Sequence, residues 1–148
     1  MAKDTVSKAK DRPGVYILHG PADFVEARHL RNHLVRETGI QAVLSEDVGA
    51  KPKPLASLRQ ELHHADIVVV LLTPSAVECG PLLEQLGAAW ALEKQIVPVF
   101  TERSVLNGLP QSVVQSPWLT EVTQLSDSAS ETIVRRVRQV QESLLIAN

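Results

Sequence analysis

The sequence predicts an α/β fold, a flavodoxin-like doubly wound parallel sheet of about five strands in the order 2-1-3-4-5. Three observations predict it. From Ile67 to Leu72 the chain is continuously apolar and rich in β-branched residues, closed by Thr73-Pro74-Ser75, which reads as a strand buried on both faces at the centre of a parallel sheet. Soon after it, Pro81 stands where a helix accepts its first residue, and Leu82, Leu86 and Ala89, with Leu83 and Trp90 beside them, mark an inward apolar stripe at helical spacing. Finally, short apolar runs alternate with helical segments along the chain, β-α-β-α-β-α-β, then a weak fifth strand and a last helix. Right-handed crossovers make 2-1-3-4-5 the simplest winding of that order.

In chain order, residues 1–13 lack periodicity and read as a disordered arm ahead of one domain spanning 14–148. Val15 to Leu18 is a short strand ending at His19-Gly20-Pro21. Asp23 is placed to cap a helix running to about Thr38, with Ala27, Leu30 and Leu34 inward and Gly39 as its stop. Ile40 to Leu44 is a second strand. Residues 45–54 form a long polar loop in which Gly49, Pro52 and Pro54 forbid regular structure. Leu55, Leu58, Leu62 and Ala65 define a short helix leading into the central strand, and Gln95 to Phe100 is the fourth strand, where Pro98 marks a position that needs no ladder donor. Residues 101–127 carry weaker signals: a turn at Leu106 to Pro110, a helical turn at Val113-Val114 and a short edge strand from Leu119 to Leu125. Ser128-x-x-Glu131 reads as a capping box for a final helix with Ile133, Val137, Val140 and Leu144 in phase.

Composition narrows the function classes. The 148 residues, 44% hydrophobic, suit one domain able to bury a core. A net charge of −2 leaves no electrostatic footprint for nucleic acid or an anionic membrane. No apolar run approaches the ~18 residues of a membrane span, and the polar, Lys-rich start does not read as a signal peptide. The lone Cys79 excludes an internal disulfide framework, so the expected location is the reducing cytoplasm.

In an open parallel sheet, ligands sit outside the C-terminal ends of the strands, where the order reverses. Here that crevice lies between strands one and three, and gathers residues 19–23, 45–54 and 73–85. The candidate substrate-binding residues are therefore His19, Gly20 and Asp23 from the first segment, Glu46, Asp47, Lys51 and Lys53 from the second, and Thr73 and Ser75 from the third. Lys51 and Lys53 have the charge to meet a diphosphate or an acidic patch on a neighbouring subunit. Gln85 follows from helical phase: with Pro81 opening the helix, residue 85 falls in the second turn on the flank of the apolar stripe, leaning toward the crevice. Glu84 is rotated about 100° away and should be solvated.

Other chemistries find less support. Neither a G-x-G-x-x-G after the first strand nor a G-x-x-x-x-G-K is present. His29 and His33 share a helix face, but with no third ligand and no zincin glutamate they do not make a metal site. His63-His64 ends a helix, where imidazoles suit the dipole, and Cys79 has no identifiable base.

Three stretches resemble Toll/interleukin-1 receptor (TIR) domains: Tyr16-Ile17-Leu18-His19-Gly20-Pro21-Ala22-Asp23, then Ala65 to Ser75, then Gln85-Leu86-Gly87-Ala88-Ala89-Trp90 leading into Ile96-Val97-Pro98-Val99. The third is similar to the E-L-G-A-A of bacterial TIR domains, and the three boxes fall in the family's order over about residues 14–100. The resemblance implies that residues 45–54 are the BB loop, used in self-association and in gating the pocket, with filaments as one form of assembly. It also implies NAD+ as substrate, with no separate cofactor. Enzymatic members cleave its nicotinamide N-glycosidic bond to give ADP-ribose or a cyclised variant, in prokaryotic immune defence, with a sensor or receptor as partner.

Their key carboxylate corresponds to Gln85, and the family's Trp four positions earlier corresponds to Pro81. Two readings of Gln85 stay open: a native residue in a scaffold or signalling module without turnover, or a Glu-to-Gln change in an otherwise competent enzyme. The intact Leu86-Gly87-Ala88-Ala89-Trp90 favours the second. A nucleoside deoxyribosyltransferase type of enzyme, which also sets a carboxylate against a glycosidic bond, is a further alternative.

Overall fold

Ile67–Leu72, here β3, is buried at all of its positions, and each large apolar side chain so enclosed stabilises the fold by about 1.5–3 kcal/mol relative to exposure. It pairs in parallel with β1 (Val15–Leu18) on one side and β4 (Gln95–Phe100) on the other. β2 (Ala42–Leu44) flanks β1, and β5 (Thr120–Glu121) flanks β4, giving the five-stranded order β2-β1-β3-β4-β5. The structure, a computed structural model, describes residues 14–45 and 55–147, with the side chains of 55–58 and 147 excepted. The expected arm at 1–13 and the loop candidates Glu46, Asp47, Lys51 and Lys53 lie outside the described residues.

Strand alternation sends two sets of side chains to opposite faces. Val15, Ile17, Val69, Leu71, Val97 and Val99 face α1 (Phe24–Thr38) and α5 (Asp127–Ala147) through Ala27, Leu30, Leu34, Ile133, Val137 and Val140. Tyr16, Leu18, Val68, Val70, Leu72 and Phe100 face α2 (Leu55–His64) and α3 (Gly80–Ala91) through Leu62, Leu82, Leu86 and Ala89. A 3-10 stretch, Arg103–Gly108, and the single-turn α4, Gln111–Val114, add Val105 and Val113 to that second layer.

Most boundaries follow the sequence pattern. Gly39 ends α1 at φ 72°, a left-handed value that favours glycine. Four details differ from expectation. Leu83 and Trp90 are exposed, at 37% and 58%, because each stands one residue, about 100° of rotation, past a position that packs. The second strand begins at Ala42 rather than Ile40. The fifth strand pairs only at Thr120 and Glu121, opposite Val99 and Phe100, before the chain turns toward α5. That helix starts at Asp127, and the Ser130 N–H bonds to the Ser126 carbonyl at 2.9 Å. Ser126 is thus the cap, and the Ser128/Glu131 pair falls inside the first turns, so the predicted capping box does not form.

Candidate functional site

Asp23 occupies the residue before α1 yet makes no side-chain cap there. Its carboxylate is buried and instead accepts a 2.6 Å hydrogen bond from Thr73 Oγ1, across from the end of β1 to the end of β3. Thr73 Oγ1 also accepts from the Ala76 N–H at 3.2 Å and lies 3.3 Å from Ser75 Oγ. Gly20 packs so closely that a Cβ there would meet Ala76 Cα at 3.2 Å. Asp23, Thr73, Ser75 and Gly20 therefore form one cluster, in which side-chain bonds replace backbone pairing once the strands end. Gly20→Val is expected to cost about 1–3 kcal/mol by forcing that contact apart, measurable as a lower urea midpoint.

His19 adjoins this cluster through Gly20. It is 3% exposed, its N–H lies 3.4 Å from Ser45 Oγ, and its ring tilts against Phe24 at 6.0 Å. Nδ1 lies 2.8 Å from the Gly20 carbonyl and must carry the proton to bond it. Nε2 is then a buried acceptor without a partner among the described residues.

Gln85 arrives from the other face of the sheet. It is half-buried in the second turn of α3, while Glu84 beside it is exposed. Gln85 Oε1 accepts a 2.7 Å hydrogen bond from the hydroxyl of Tyr16, which is fully buried. Tyr16 belongs to the strand row facing α2 and α3, whereas His19 and Thr73 continue the row facing α1 and α5. The candidate residues thus fall into two groups, on opposite faces of the sheet, and no hydrogen bond joins them among the described residues.

A family profile for the TIR domain matches residues 15–136. The chain belongs to the TIR domain family. Its fold is similar to that of the TIR domain of the Toll-related receptor TRR-2 from Hydra magnipapillata, with a TM-score of 0.60 at 14% identity, over 84% of this chain and 97% of that one. It is also similar to the TIR domains of the activated Roq1 resistosome recognising the pathogen effector XopQ, with a TM-score of 0.57 at 14% identity, over 89% and 99%. A diflavin flavoprotein A3 from Nostoc sp. follows at 0.51 and 12%, over 93% and 99%. No curated protein matches the sequence.

Two residues of this TIR domain that bear on Gln85 carry no signal in the sequence pattern. Tyr16 reads as part of an apolar strand, although a buried phenol needs a partner for its hydroxyl, and it is the chain's one tyrosine. Glu61 of α2 is half-buried. Burial above all, and then the negative charge of Glu61, hold the Tyr16 hydroxyl well above the usual tyrosine range, so it keeps its proton.

His29 is exposed on α1, and His33 Nδ1 lies 3.3 Å from an Arg36 nitrogen. No group of three or more His, Cys, Asp or Glu suited to a metal gathers among the described residues. Cys79 is a free thiol just ahead of α3. An open hollow of about 660 Å³ beside the start of α5, lined by Thr101, Glu121, Ser126 and Thr132, contains none of the predicted residues.

Thr73→Val in this TIR domain removes the donor to a buried carboxylate while keeping the shape of the side chain. The expected loss is about 1–3 kcal/mol, the cost of leaving such a group unsatisfied. Urea unfolding of Thr73→Val beside Ser75→Ala, which leaves the 2.6 Å bond in place, checks it.

Proposed function

We propose that this TIR domain is of the NAD+-cleaving type, a prokaryotic defence effector whose pocket lies at the C-terminal edge of β1 and β3 and is disabled by the amide at position 85. One observation supports this reading above the rest. Gln85, at the place of the expected glutamate in the Gln85-Leu86-Gly87-Ala88-Ala89 box, is half-buried and held by Tyr16, while Glu84 is exposed. Departure of nicotinamide leaves positive charge on the ribose, and a carboxylate beside that centre stabilises it. A neutral amide does not. Gln85, Asp23, Thr73, Ser75, His19 and Gly20 would line the nucleotide, with Lys51 and Lys53 at the diphosphate and Glu46 and Asp47 in the same loop.

Self-association through residues 45–54 belongs to this proposal, with a sensor or receptor supplying the trigger. Among similar structures, the Roq1 TIR domains are part of an activated resistosome. A head-to-tail contact of one loop on the next subunit's pocket would give open filaments. No helix among the described residues is long and apolar enough to cross a membrane, and the proposed setting is the cytoplasm.

A second reading is favoured by Gln85 itself: if it is native, the domain binds nucleotide or partners without turnover. Nicotinamide release from NAD+ by Gln85→Glu, assayed alongside deoxyribosyl transfer between nucleosides, separates the readings. Release supports the NAD+-cleaving type, transfer supports the deoxyribosyltransferase type, and inactivity in both supports the scaffold.

A further inference from the structure

We propose that Tyr16 locks the Gln85 amide with its oxygen turned inward, so that the crevice meets N–H donors at this position and selects a dinucleotide whose nicotinamide ring is uncharged over one whose ring is cationic. The ligand half of this proposal rests on the nucleotide-binding reading above; the orientation half does not.

Tyr16 is 0% exposed, so its hydroxyl has no access to water and must be satisfied within the protein. The 2.7 Å separation between Tyr16 Oη and Gln85 Oε1 suits an O–H···O bond and is shorter than the usual N–H···O distance of about 2.9–3.0 Å. A phenol kept protonated by burial and by the charge of Glu61 has a proton to donate, and the amide oxygen is the acceptor. Among the described residues nothing else bonds to the Gln85 amide. Its Nε2 therefore keeps both hydrogens for a ligand.

That pair of donors is complementary to the lone pairs of ribose oxygens and opposes a positive ring. A glutamate held by the same tyrosine would do the reverse, keeping its second, charged oxygen for the cation. The same position thus changes from attracting to disfavouring a pyridinium, with the shape of the pocket unaltered. NAD+ and NADH share the dinucleotide frame and differ in the charge of the ring, which makes them the probe pair.

Side-chain amide NMR of the unaltered chain reads the orientation directly. Weak or absent cross-relaxation between the Gln85 Nε2 protons and the Tyr16 ring protons next to the hydroxyl is expected; a strong signal means that nitrogen faces Tyr16 and overturns the proposal. Titrations of NAD+ and NADH into the unaltered chain and Tyr16→Phe, each first shown to be folded by circular dichroism, read the ligand preference. NADH is expected to bind the unaltered chain at least as tightly as NAD+. Tyr16→Phe frees the amide to turn and should shift the ratio of the two Kd values toward NAD+ by about three- to tenfold, the range of one hydrogen bond. An unchanged ratio overturns the preference. If neither dinucleotide binds these proteins or Gln85→Glu, the nucleotide reading fails together with the preference, and the NMR result still decides the orientation.

Discussion

Gln85→Glu is expected to raise NAD+ cleavage by roughly a hundredfold or more over the unaltered chain, since removal of a single preorganised electrostatic group from an active site typically costs 10²–10³ in rate. The exchange is isosteric, and the Tyr16 hydroxyl that donates to the amide oxygen at 2.7 Å can donate to a carboxylate oxygen as readily. What the change adds is negative charge in a half-buried position. In the same background Glu84→Gln should alter the rate by no more than about twofold, as surface substitutions do, because Glu84 is exposed. Nicotinamide release followed by chromatography checks both. Loss of activity on Glu84→Gln would show that the carboxylate of interest is the exposed one, and the site assigned to position 85 would be wrong.

Turnover per subunit in the Gln85→Glu variant is expected to climb steeply with protein concentration or crowding. The proposed crevice would be framed on the described side by Gly20, Pro21 and Ala22, with Pro21 and Ala22 exposed and no large apolar side chain among them. Glycosidic cleavage through a cationic centre benefits from exclusion of water, and a neighbouring subunit can supply the missing wall. Mass action then ties activity to the assembled fraction. Rate measurements from nanomolar to the highest soluble concentration, paired with light scattering, test this: a rate strictly proportional to enzyme, with monomers throughout, refutes it.

The sheet was legible because its signals are redundant. Six consecutive apolar positions in β3, a proline opening α3 and a glycine closing α1 each specify their element independently, and together they leave one simple winding. Helical phase alone distinguished Gln85 from Glu84, since a buried row at Leu82, Leu86 and Ala89 fixes the rotation of every other side chain on α3. Features set by tertiary contact were not legible. Asp23 reads locally as a helix cap, yet the nearby Thr73 hydroxyl claims its carboxylate. Tyr16 reads as one more apolar strand residue until the partner of its hydroxyl is known. Nor does a list of edge residues reveal that strand alternation sends His19 and Tyr16, the partner of Gln85, to opposite faces of the sheet. The family profile settles membership over residues 15–136, whereas the chemistry turns on side-chain pairs of this chain.

The one tyrosine in 148 residues is the residue that touches Gln85. Growth on 3-fluorotyrosine would therefore place a single fluorine nucleus beside position 85 and nowhere else in the domain. Its resonance would respond to an amide or a carboxylate across the hydrogen bond, to a nucleotide arriving in the crevice, and to a second subunit closing over it. Three events that activity assays merge into one rate would then be separable in one spectrum, without a label attached to the surface.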